Sequence, residues 1–324
     1  MLADRVLLGG TGIGVAPIAL GTMQFGHGPL AVDATTSQAI FDTYVSAGGN
    51  FIDTAPVYGE DCSAERQVGQ LVKADRDSYV LATKVGAATE HGSYTGGLSR
   101  KSILRGVTAS LRRLGTDYID LLLVHAPDSR VLPTVWVPAL KSLLESGKIL
   151  SWGVSNMPAW QLAEAATLGW MDDAPMSVTQ VQYSVASRDP ELEIVPAAKR
   201  WELSLMAWGP LGGGLLAQSE LHGERTLIRR GFMVSEAQQA LAADLERLAR
   251  ARGVTAASIA LAWLNTRNAI PAVGARTAAQ LREALQSVTL DSETLTYLDS
   301  LSPMTPTYPT SFLELTQQFF EGRR

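Results

Sequence analysis

The stretch Ile119–His125, which reads IDLLLVH, has the apolar run of a strand that is buried on both faces. A histidine at the end of such a run has no obvious structural role. Asp53 and Lys84 end two other apolar runs in the same way, and Tyr58 follows Asp53 by five residues. Because barrel enzymes place their chemistry at the carboxyl ends of buried parallel strands, we expect these four side chains at one barrel mouth.

Seven further segments have the length and composition of short buried strands, each bounded by glycine, proline or polar residues. They alternate with patterns of helical period, such as Ser102–Leu114, for which Ser99 is a candidate N-cap, and Thr134–Ser146. Eight strands that alternate with helices predict an α/β fold, the parallel (β/α)8 TIM barrel. The seven other strands are predicted at Pro17–Leu20, Asn50–Asp53, Tyr79–Lys84, Ile149–Val154, Val178–Gln182, Leu203–Trp208 and Ala269–Val273.

The chain is longer than a typical barrel of about 250 residues, and the excess falls in three places. Arg5–Val15 predicts an N-terminal β-hairpin around its glycines, and Gly212–Arg252 predicts an inserted loop plus an extra helix before strand eight. The third place is the C-terminal tail after Leu290, which is predicted to lie over the barrel mouth. No linker or low-complexity stretch interrupts the sequence, so we expect a single domain over residues 1–324.

The composition indicates a globular protein with a sizeable core, since 46% of its 324 residues are hydrophobic and its net charge is −5. No block of like charges points to nucleic acid or to an acidic membrane surface. The single cysteine, Cys62, excludes an intrachain disulfide and a cysteine-based metal site. Without a signal peptide or an apolar run near the roughly 20 residues of a membrane span, the sequence predicts a soluble, cytoplasmic protein. It indicates no particular oligomeric state.

The segment Gly10–Gly14 reads GTGIG, and together with Asp33 it superficially resembles a dinucleotide-binding fingerprint. That fingerprint requires a helix that begins at its last glycine, so that backbone amides meet the pyrophosphate. The following segment, Val15–Gly21, carries a proline and no helical stripe, which favours a hairpin turn instead. The chain also lacks the Tyr-x-x-x-Lys pattern of a short-chain dehydrogenase.

The segment Asp53–Gly59, which reads DTAPVYG, resembles the catalytic region of the aldo-keto reductases when it is taken together with Lys84 and His125. The resemblance extends over almost the whole chain. It implies a TIM barrel that reduces an aldehyde or ketone to an alcohol, with NADPH or NADH as the cofactor. The other matching stretches follow in family order: Ser63–Gly69, Ala82–Val85, Ser110–Asp120, Gly147–Ile149, Trp152–Asn156, Gln180–Ser184, Trp208–Leu211 and Gly274–Thr277.

The reaction has a chemical use for each of the four catalytic candidates. A carbonyl that accepts hydride develops negative charge on oxygen, so a nearby donor, here Tyr58, must supply a proton. The pKa of a free tyrosine is about 10, and the Lys84 ammonium beside the phenol is expected to lower it. Asp53 would keep Lys84 charged and fixed in direction, and His125 would bind and orient the carbonyl oxygen. This chemistry requires no metal.

The resemblance also implies which residues hold the nicotinamide end of the cofactor. Ser155, Asn156 and Gln182 match groups that hydrogen-bond the carboxamide. Trp208 stands where the family has an aromatic ring that stacks on the nicotinamide. In the family, a backbone segment contacts the nicotinamide ribose, and the matching residues in this sequence are Gly21, Thr22 and Met23.

The resemblance implies that the phosphates and the adenosine of the cofactor lie near two later segments of the chain. Arg276 is expected to bind the 2′-phosphate of NADPH as a charged partner. The chain departs from many family members at Gly274, where they have a lysine, and at Ala284, where they have an asparagine. NADPH is therefore the implied cofactor, and NADH is the alternative. The matching residues are Gly209, Pro210, Leu211 and Gly214 for the pyrophosphate, and Gly274, Arg276, Gln280 and Glu283 for the adenosine end.

The substrate pocket is predicted to be open beside the catalytic histidine. Ala126 follows His125, where the family often has a bulky tryptophan. The smaller side chain suggests a small-molecule carbonyl larger than a simple aldehyde, such as a sugar-like or polyketide-like ketone. The candidate walls of this pocket are Met23, Phe25, Val57, Trp136 and the tail Tyr308–Phe320.

Two other functions remain as alternatives. The first is a nucleotide-sensing subunit with little turnover. Proteins that resemble the β-subunits of potassium channels share this barrel and bind the cofactor, but they act as subunits of a partner protein. The absence of a long extra N-terminal arm argues mildly against it. A barrel hydrolase is the other, but it needs paired carboxylates or a metal cluster at strand ends, and the sequence shows neither.

Overall fold

The computed structural model describes residues 2, 4–89, 96–217, 234–313 and 316. Eight parallel strands form a closed barrel in the order β3-β4-β5-β6-β7-β8-β9-β10, which confirms the predicted TIM barrel. All eight predicted strands are present, with ends that differ by no more than a few residues. The strands are β1 Val6–Leu7, β2 Gly14–Val15, β3 Ala19–Gly21, β4 Phe51–Asp53, β5 Val80–Val85, β6 Ile119–Val124, β7 Ile149–Ser155, β8 Val178–Gln182, β9 Ser204–Trp208 and β10 Ala269–Val273.

Helices follow the barrel strands and cover the outside of the barrel. The helix predicted at Ser102–Leu114 begins two residues earlier, because the Ser99 hydroxyl caps it by accepting a hydrogen bond from the backbone N–H of Ser102. In the part of the chain that the structure describes, the α-helices are α1 Ala34–Ser46, α2 Ser63–Val72, α3 Arg100–Leu114, α4 Pro133–Glu145, α5 Ala159–Met171, α6 Ile194–Arg200, α7 Glu236–Arg252, α8 Ala256–Thr266, α9 Ala278–Ala284 and α10 Ser292–Leu301.

The predicted insertion before strand eight is confirmed as far as the structure describes it. Two helices, α7 and α8, lie between β9 and β10, where the barrel repeat needs only one. The helix α8 packs on β10, so α7 is the extra helix. Residues 218–233 of the predicted loop lie outside the described part of the chain.

The predicted N-terminal hairpin is also present, as β1 paired antiparallel with β2. Its apolar residues Leu8 and Val15 share one core cluster with side chains of the barrel interior. The Gly9 N–H donates a 2.8 Å hydrogen bond to the hydroxyl of Ser204, at the amino end of β9, so the hairpin closes the amino-terminal end of the barrel. The GTGIG segment is thus part of a hairpin and does not open a phosphate-binding helix.

The barrel interior changes from apolar to polar toward the carboxyl ends of the strands. Side chains alternate in direction along a strand, so residues two apart point the same way. Phe51 and Ala82 belong to the apolar interior cluster. Asp53 and Lys84 follow them by two residues on β4 and β5, and Gln180 follows the interior residue Val178 in the same way on β8. Polar groups from three strands therefore meet at the carboxyl-terminal end.

The C-terminal tail begins on the mouth side of the barrel. Arg188, in the loop after β8, donates hydrogen bonds to the backbone oxygens of Asp299 and Ser302 at the end of α10. Beyond this point Tyr308 and Phe312 are largely exposed. Residues 314–315 and 317–320 of the tail lie outside the described residues, so its position over the mouth stays a prediction.

Candidate active site

A buried ion pair lies at the carboxyl ends of β4 and β5. The Nζ atom of Lys84 donates to both carboxylate oxygens of Asp53 at 2.9 Å and to the backbone oxygen of Thr54 at 2.9 Å. Lys84 is 1% exposed and Asp53 is 3% exposed. Burial opposes the charge on Lys84, but Asp53 and Tyr58 together outweigh burial through Coulomb attraction and hydrogen bonds, and they raise the pKa of the lysine. Lys84 is therefore a permanent ammonium with a fixed direction.

Tyr58, in the loop between β4 and α2, lies beside this ammonium. Its Oη accepts a 3.1 Å hydrogen bond from Lys84 Nζ, which also lies 4.7 Å from the centre of the phenol ring. Burial raises the pKa of Tyr58, and Lys84 lowers it by less, so the pKa stays above its ordinary value. Lys84 therefore acts on the phenol in the expected direction, but the loss of hydration outweighs the effect of the ammonium. The phenol is protonated at neutral pH and can donate.

His125, directly after β6, presents its ring to the same space. The Tyr58 and His125 rings lie 6.3 Å apart between centres and are nearly perpendicular, at 85°. Burial, with a smaller contribution from Lys84, lowers the pKa of His125 to about 4. The imidazole is therefore neutral at neutral pH. Its buried Nδ1 has no hydrogen-bond partner among the residues that the structure describes.

The lowered pKa of His125 predicts a pH-dependent stability. An unfolded histidine has a pKa of 6.5, so in acid the unfolded chain binds a proton that the folded protein takes up only near pH 4. Stability supplied by the neutral imidazole is complete above pH 6.5 and is lost as the pH falls toward 4. Over this range we expect wild-type protein to lose up to about 3 kcal/mol more unfolding free energy than His125→Asn.

Denaturant unfolding of both proteins at several pH values measures this difference. All other titratable groups are the same in both proteins, so subtracting one profile from the other isolates the histidine. Parallel stability profiles between pH 6.5 and 4 would show that His125 takes up its proton as easily in the folded protein as in the unfolded chain.

Gln180 on β8 belongs to the site, and the sequence analysis missed it. Its Nε2 donates a 3.1 Å hydrogen bond to Asp53 Oδ1, and its Oε1 accepts a 3.4 Å bond from the Ser155 hydroxyl. The sequence reads VTQVQ here, and the family resemblance indicated Gln182, at the end of the strand. The alternation that points Gln182 into the barrel also points Gln180 inward, one layer deeper, and this signal was available.

The residues predicted for the nicotinamide end continue the same hydrogen-bond network. The Asn156 amide nitrogen donates to the Ser155 hydroxyl and to the backbone oxygen of His125, both at 3.0 Å. Trp208 Nε1 donates to Asn156 Oδ1 at 2.8 Å. Asn156 is exposed and has a positive φ of 55°, a conformation that asparagine tolerates better than most residues. An exposed amide, an indole and the ion pair are thus linked through Ser155 and Gln180.

The loop after β9 has a backbone shape that depends on glycine. Gly212, Gly213 and Gly214 have φ values of 57°, 69° and 108°, and Gly209 has a φ of 63°. The turn is closed by hydrogen bonds from Gly212 N to Gly209 O and from Gly214 N to Leu211 O. The loop is therefore an ordered turn as far as Ala217. Of its other predicted cofactor residues, Pro210 is buried and Leu211 is half-buried.

The remaining cofactor candidates lie beside β3 and β10. Thr22 is fully buried, and both its N–H and its hydroxyl donate to the backbone oxygen of Asp53, so neither donor is free for a ligand. Gly21 is half-buried, and Met23 is 44% exposed. After β10, the backbone N–H of Arg276 donates to Gln280 Oε1 at 3.0 Å. The residues of this adenosine-end group are all exposed: Gly274, Arg276, Gln280 and Glu283.

These residues fit a nicotinamide dinucleotide. They provide an aromatic ring, an exposed amide, a glycine turn that lacks side chains, and an exposed guanidinium, all near the carboxyl ends of the barrel strands. In the described part of the chain, no group of three or more histidine, cysteine, aspartate or glutamate side chains could hold a metal ion. The described residues also contain no helix that could span a membrane.

Two of the residues predicted for the pocket wall do not lie there in the structure. Trp136 is 1% exposed on the inner face of α4 and packs edge-on against Trp152, because it lies on the apolar stripe of the helix. Phe25 is 1% exposed and belongs to the core between barrel and helices. Neither lines an open pocket. Val57, which is 40% exposed, and the exposed Ala126 keep free surface next to Tyr58 and His125.

The fold and the site define a class, the barrel oxidoreductases in which lysine and carboxylate support a tyrosine. The chain belongs to the aldo/keto reductase family, whose model matches residues 17–303. It is accordingly an NAD(P)H-dependent oxidoreductase.

Three relatives illustrate the similarity. Norsolorinic acid reductase of Aspergillus flavus is 33% identical over 327 residues, which cover 95% of this chain and 83% of that protein. The aryl-alcohol dehydrogenase (NADP(+)) of Phanerodontia chrysosporium is 30% identical, with 94% of this chain and 87% of that protein covered. The oxidoreductase YrpG of Bacillus subtilis is 34% identical, with 93% of this chain and 96% of that protein covered.

Proposed function

We propose that this protein reduces an aldehyde or ketone to an alcohol, with Tyr58 as the proton donor. The observation that carries the proposal is the placement of Lys84 Nζ, 2.9 Å from both Asp53 oxygens and 3.1 Å from the phenol oxygen. A buried ammonium next to a protonated phenol stabilises the phenolate that proton donation leaves behind.

Each side chain of the site has a separate task in this reaction. The reduced nicotinamide supplies the hydride when the cofactor is bound. A neutral His125 can donate a hydrogen bond to the substrate oxygen and hold the carbonyl near Tyr58. Tyr58 transfers its hydroxyl proton to that oxygen, and Lys84 stabilises the resulting phenolate. Asp53 holds Lys84 in place, and Gln180 in turn holds the Asp53 carboxylate. Oxidation of the alcohol is the same set of steps reversed.

Turnover is the property that tests this proposal. A panel of aldehydes and ketones, scored by NADPH consumption, is expected to contain substrates that the protein reduces. The alternative, a nucleotide-sensing subunit, predicts that NADPH binds but is consumed at a negligible rate with every carbonyl. We also propose a cytoplasmic location, a compartment that supplies NADPH.

We infer that NADPH is preferred and that NADH is usable. The name of the aryl-alcohol dehydrogenase relative includes NADP(+), and the exposed Arg276 offers a charge for a 2′-phosphate. We expect Arg276→Ala to weaken NADPH binding about tenfold, the loss of one charge-assisted hydrogen bond, and to leave NADH binding nearly unchanged. Fluorescence titration with both cofactors measures this, and equal losses would refute the role of Arg276.

The proposed substrate is a bulky carbonyl, aromatic in particular. The exposed Ala126 leaves room beside the histidine, and two relatives are named for norsolorinic acid and for aryl alcohols. In the panel, aromatic ketones and aldehydes are expected to have higher kcat/KM values than short aliphatic aldehydes. Filling the space with Ala126→Trp should reverse that order, and an unchanged order would show that Ala126 does not shape the pocket.

A further inference from the structure

Two glycines face each other where β3 and β10 reach the mouth. Ala19 pairs with Ala272 and Leu20 pairs with Val273, so Gly21 and Gly274 come next in register. Their backbones are close, since a Cβ at Gly21 would lie 3.4 Å from the Gly274 nitrogen. This seam lies between the segments proposed for the nicotinamide ribose and for the adenosine end.

The side-chain amide of Gln24 fills the space above Gly274. A Cβ atom at Gly274 would lie 2.4 Å from Gln24 Oε1 and 3.0 Å from both Cδ and Nε2. Gly274 does not have a positive φ, so its backbone conformation does not require glycine. A side chain at position 274 would instead force the amide of Gln24 to move. The two residues therefore form one unit, in which the small residue makes room for the polar one.

The oxygen of this amide is buried and has no hydrogen-bond partner among the described residues. A buried acceptor without a donor is unfavourable, and natural structures contain few of them outside ligand sites. The backbone of Gln24 is fixed, because its carbonyl oxygen accepts a 2.7 Å hydrogen bond from the Val32 N–H. The backbone of Gln24 is thus fixed beside the seam, and the side chain that it carries has an acceptor without a donor.

We propose that Gln24 is a cofactor-binding residue whose amide hydrogen-bonds a ribose hydroxyl of the dinucleotide across the Gly21–Gly274 seam. This inference rests on the proposed function, because it takes the dinucleotide to lie along the carboxyl ends of β3 and β10. It assigns to Gly274 a role that the sequence did not indicate, namely room for an amide. Gln24 then contributes to affinity for NADPH and NADH alike, since both carry ribose hydroxyls.

The test compares NADPH binding and thermal unfolding in wild-type protein and in Gln24→Met, which keeps the length of the side chain but removes its polar end. We expect the Kd for NADPH to rise about fivefold, as for one lost hydrogen bond. The Tm of the cofactor-free protein should stay the same or rise, because an unpaired buried oxygen is removed. If Gln24 has only a structural role, the substitution should lower the Tm and leave the Kd for NADPH unchanged. That result would overturn the inference.

A double-mutant cycle tests whether Gly274 acts through Gln24. Gly274→Ala should displace the amide and raise the Kd for NADPH about as much as Gln24→Ala does. In the Gln24→Ala background the same change should add little, because no amide remains to be displaced. Additive losses would show that the two residues act separately. Wild-type protein that binds no dinucleotide would overturn the proposed function itself, which distinguishes that failure from a failure at Gln24.

Discussion

Replacement of Tyr58 by phenylalanine is expected to lower kcat by about 10³-fold, the scale of a lost general acid. The ring remains, so the loop between β4 and α2 keeps its packing, and only the hydroxyl beside Lys84 is removed. Because the phenol acts in proton transfer and not in cofactor binding, the Kd for NADPH should not change. Steady-state kinetics and cofactor titration on the same preparations measure both quantities.

Tyr118 offers a matched control for this substitution. Its hydroxyl donates to Asp77 on the exposed surface, away from the ion pair. Tyr118→Phe removes the same atom and should leave kcat at the wild-type value. Equal losses in the two variants would point to a general effect on the fold, and full activity in Tyr58→Phe would remove Tyr58 from the reaction.

Replacement of Lys84 by methionine is expected to lower the stability of the fold strongly. It leaves the carboxylate of Asp53 buried without its cation, and such changes cost about 3–5 kcal/mol. Reduction of the carbonyl should also stop, because the phenolate of Tyr58 loses its stabilising charge. Chemical denaturation gives the free energy of unfolding, and the slope of the transition shows whether unfolding stays two-state.

A second substitution separates charge from packing at this site. In Asp53→Asn/Lys84→Met no charge is left unpaired, and Gln180 can still donate to the amide oxygen at position 53. We expect the double variant to recover much of the stability while activity stays lost. If the double variant is as unstable as Lys84→Met, packing and not charge explains the loss.

The barrel itself could be predicted from the sequence because its strands have an unambiguous pattern. IDLLLVH and similar runs are short, apolar and bounded by turn residues, and eight of them alternate with helices. The positions of Asp53, Lys84 and His125 at strand ends follow from this pattern alone. Tyr58 lies in a loop, and its place beside Lys84 was predicted through the family resemblance.

The remaining features depend on contacts between distant parts of the chain. Trp136 was misplaced because a helix stripe and a pocket wall use the same residue types, and only packing against Trp152 distinguishes them. The pKa of Tyr58 depends on how much water its neighbours exclude, which no local pattern encodes. Gln24 and Gly274 are 250 positions apart, and their shared space appears only when β3 meets β10 in the closed barrel.

The most direct test follows the hydride. NADPH that carries deuterium at both C4 positions of the nicotinamide is mixed with an aromatic ketone or aldehyde and the protein, and the product is examined by mass spectrometry and NMR. We predict that the deuterium moves to the carbinol carbon of the alcohol in wild-type protein, and that Tyr58→Phe forms this product far more slowly. An alcohol without deuterium at that carbon, or no alcohol from any carbonyl while NADPH stays bound, would contradict the proposed reaction.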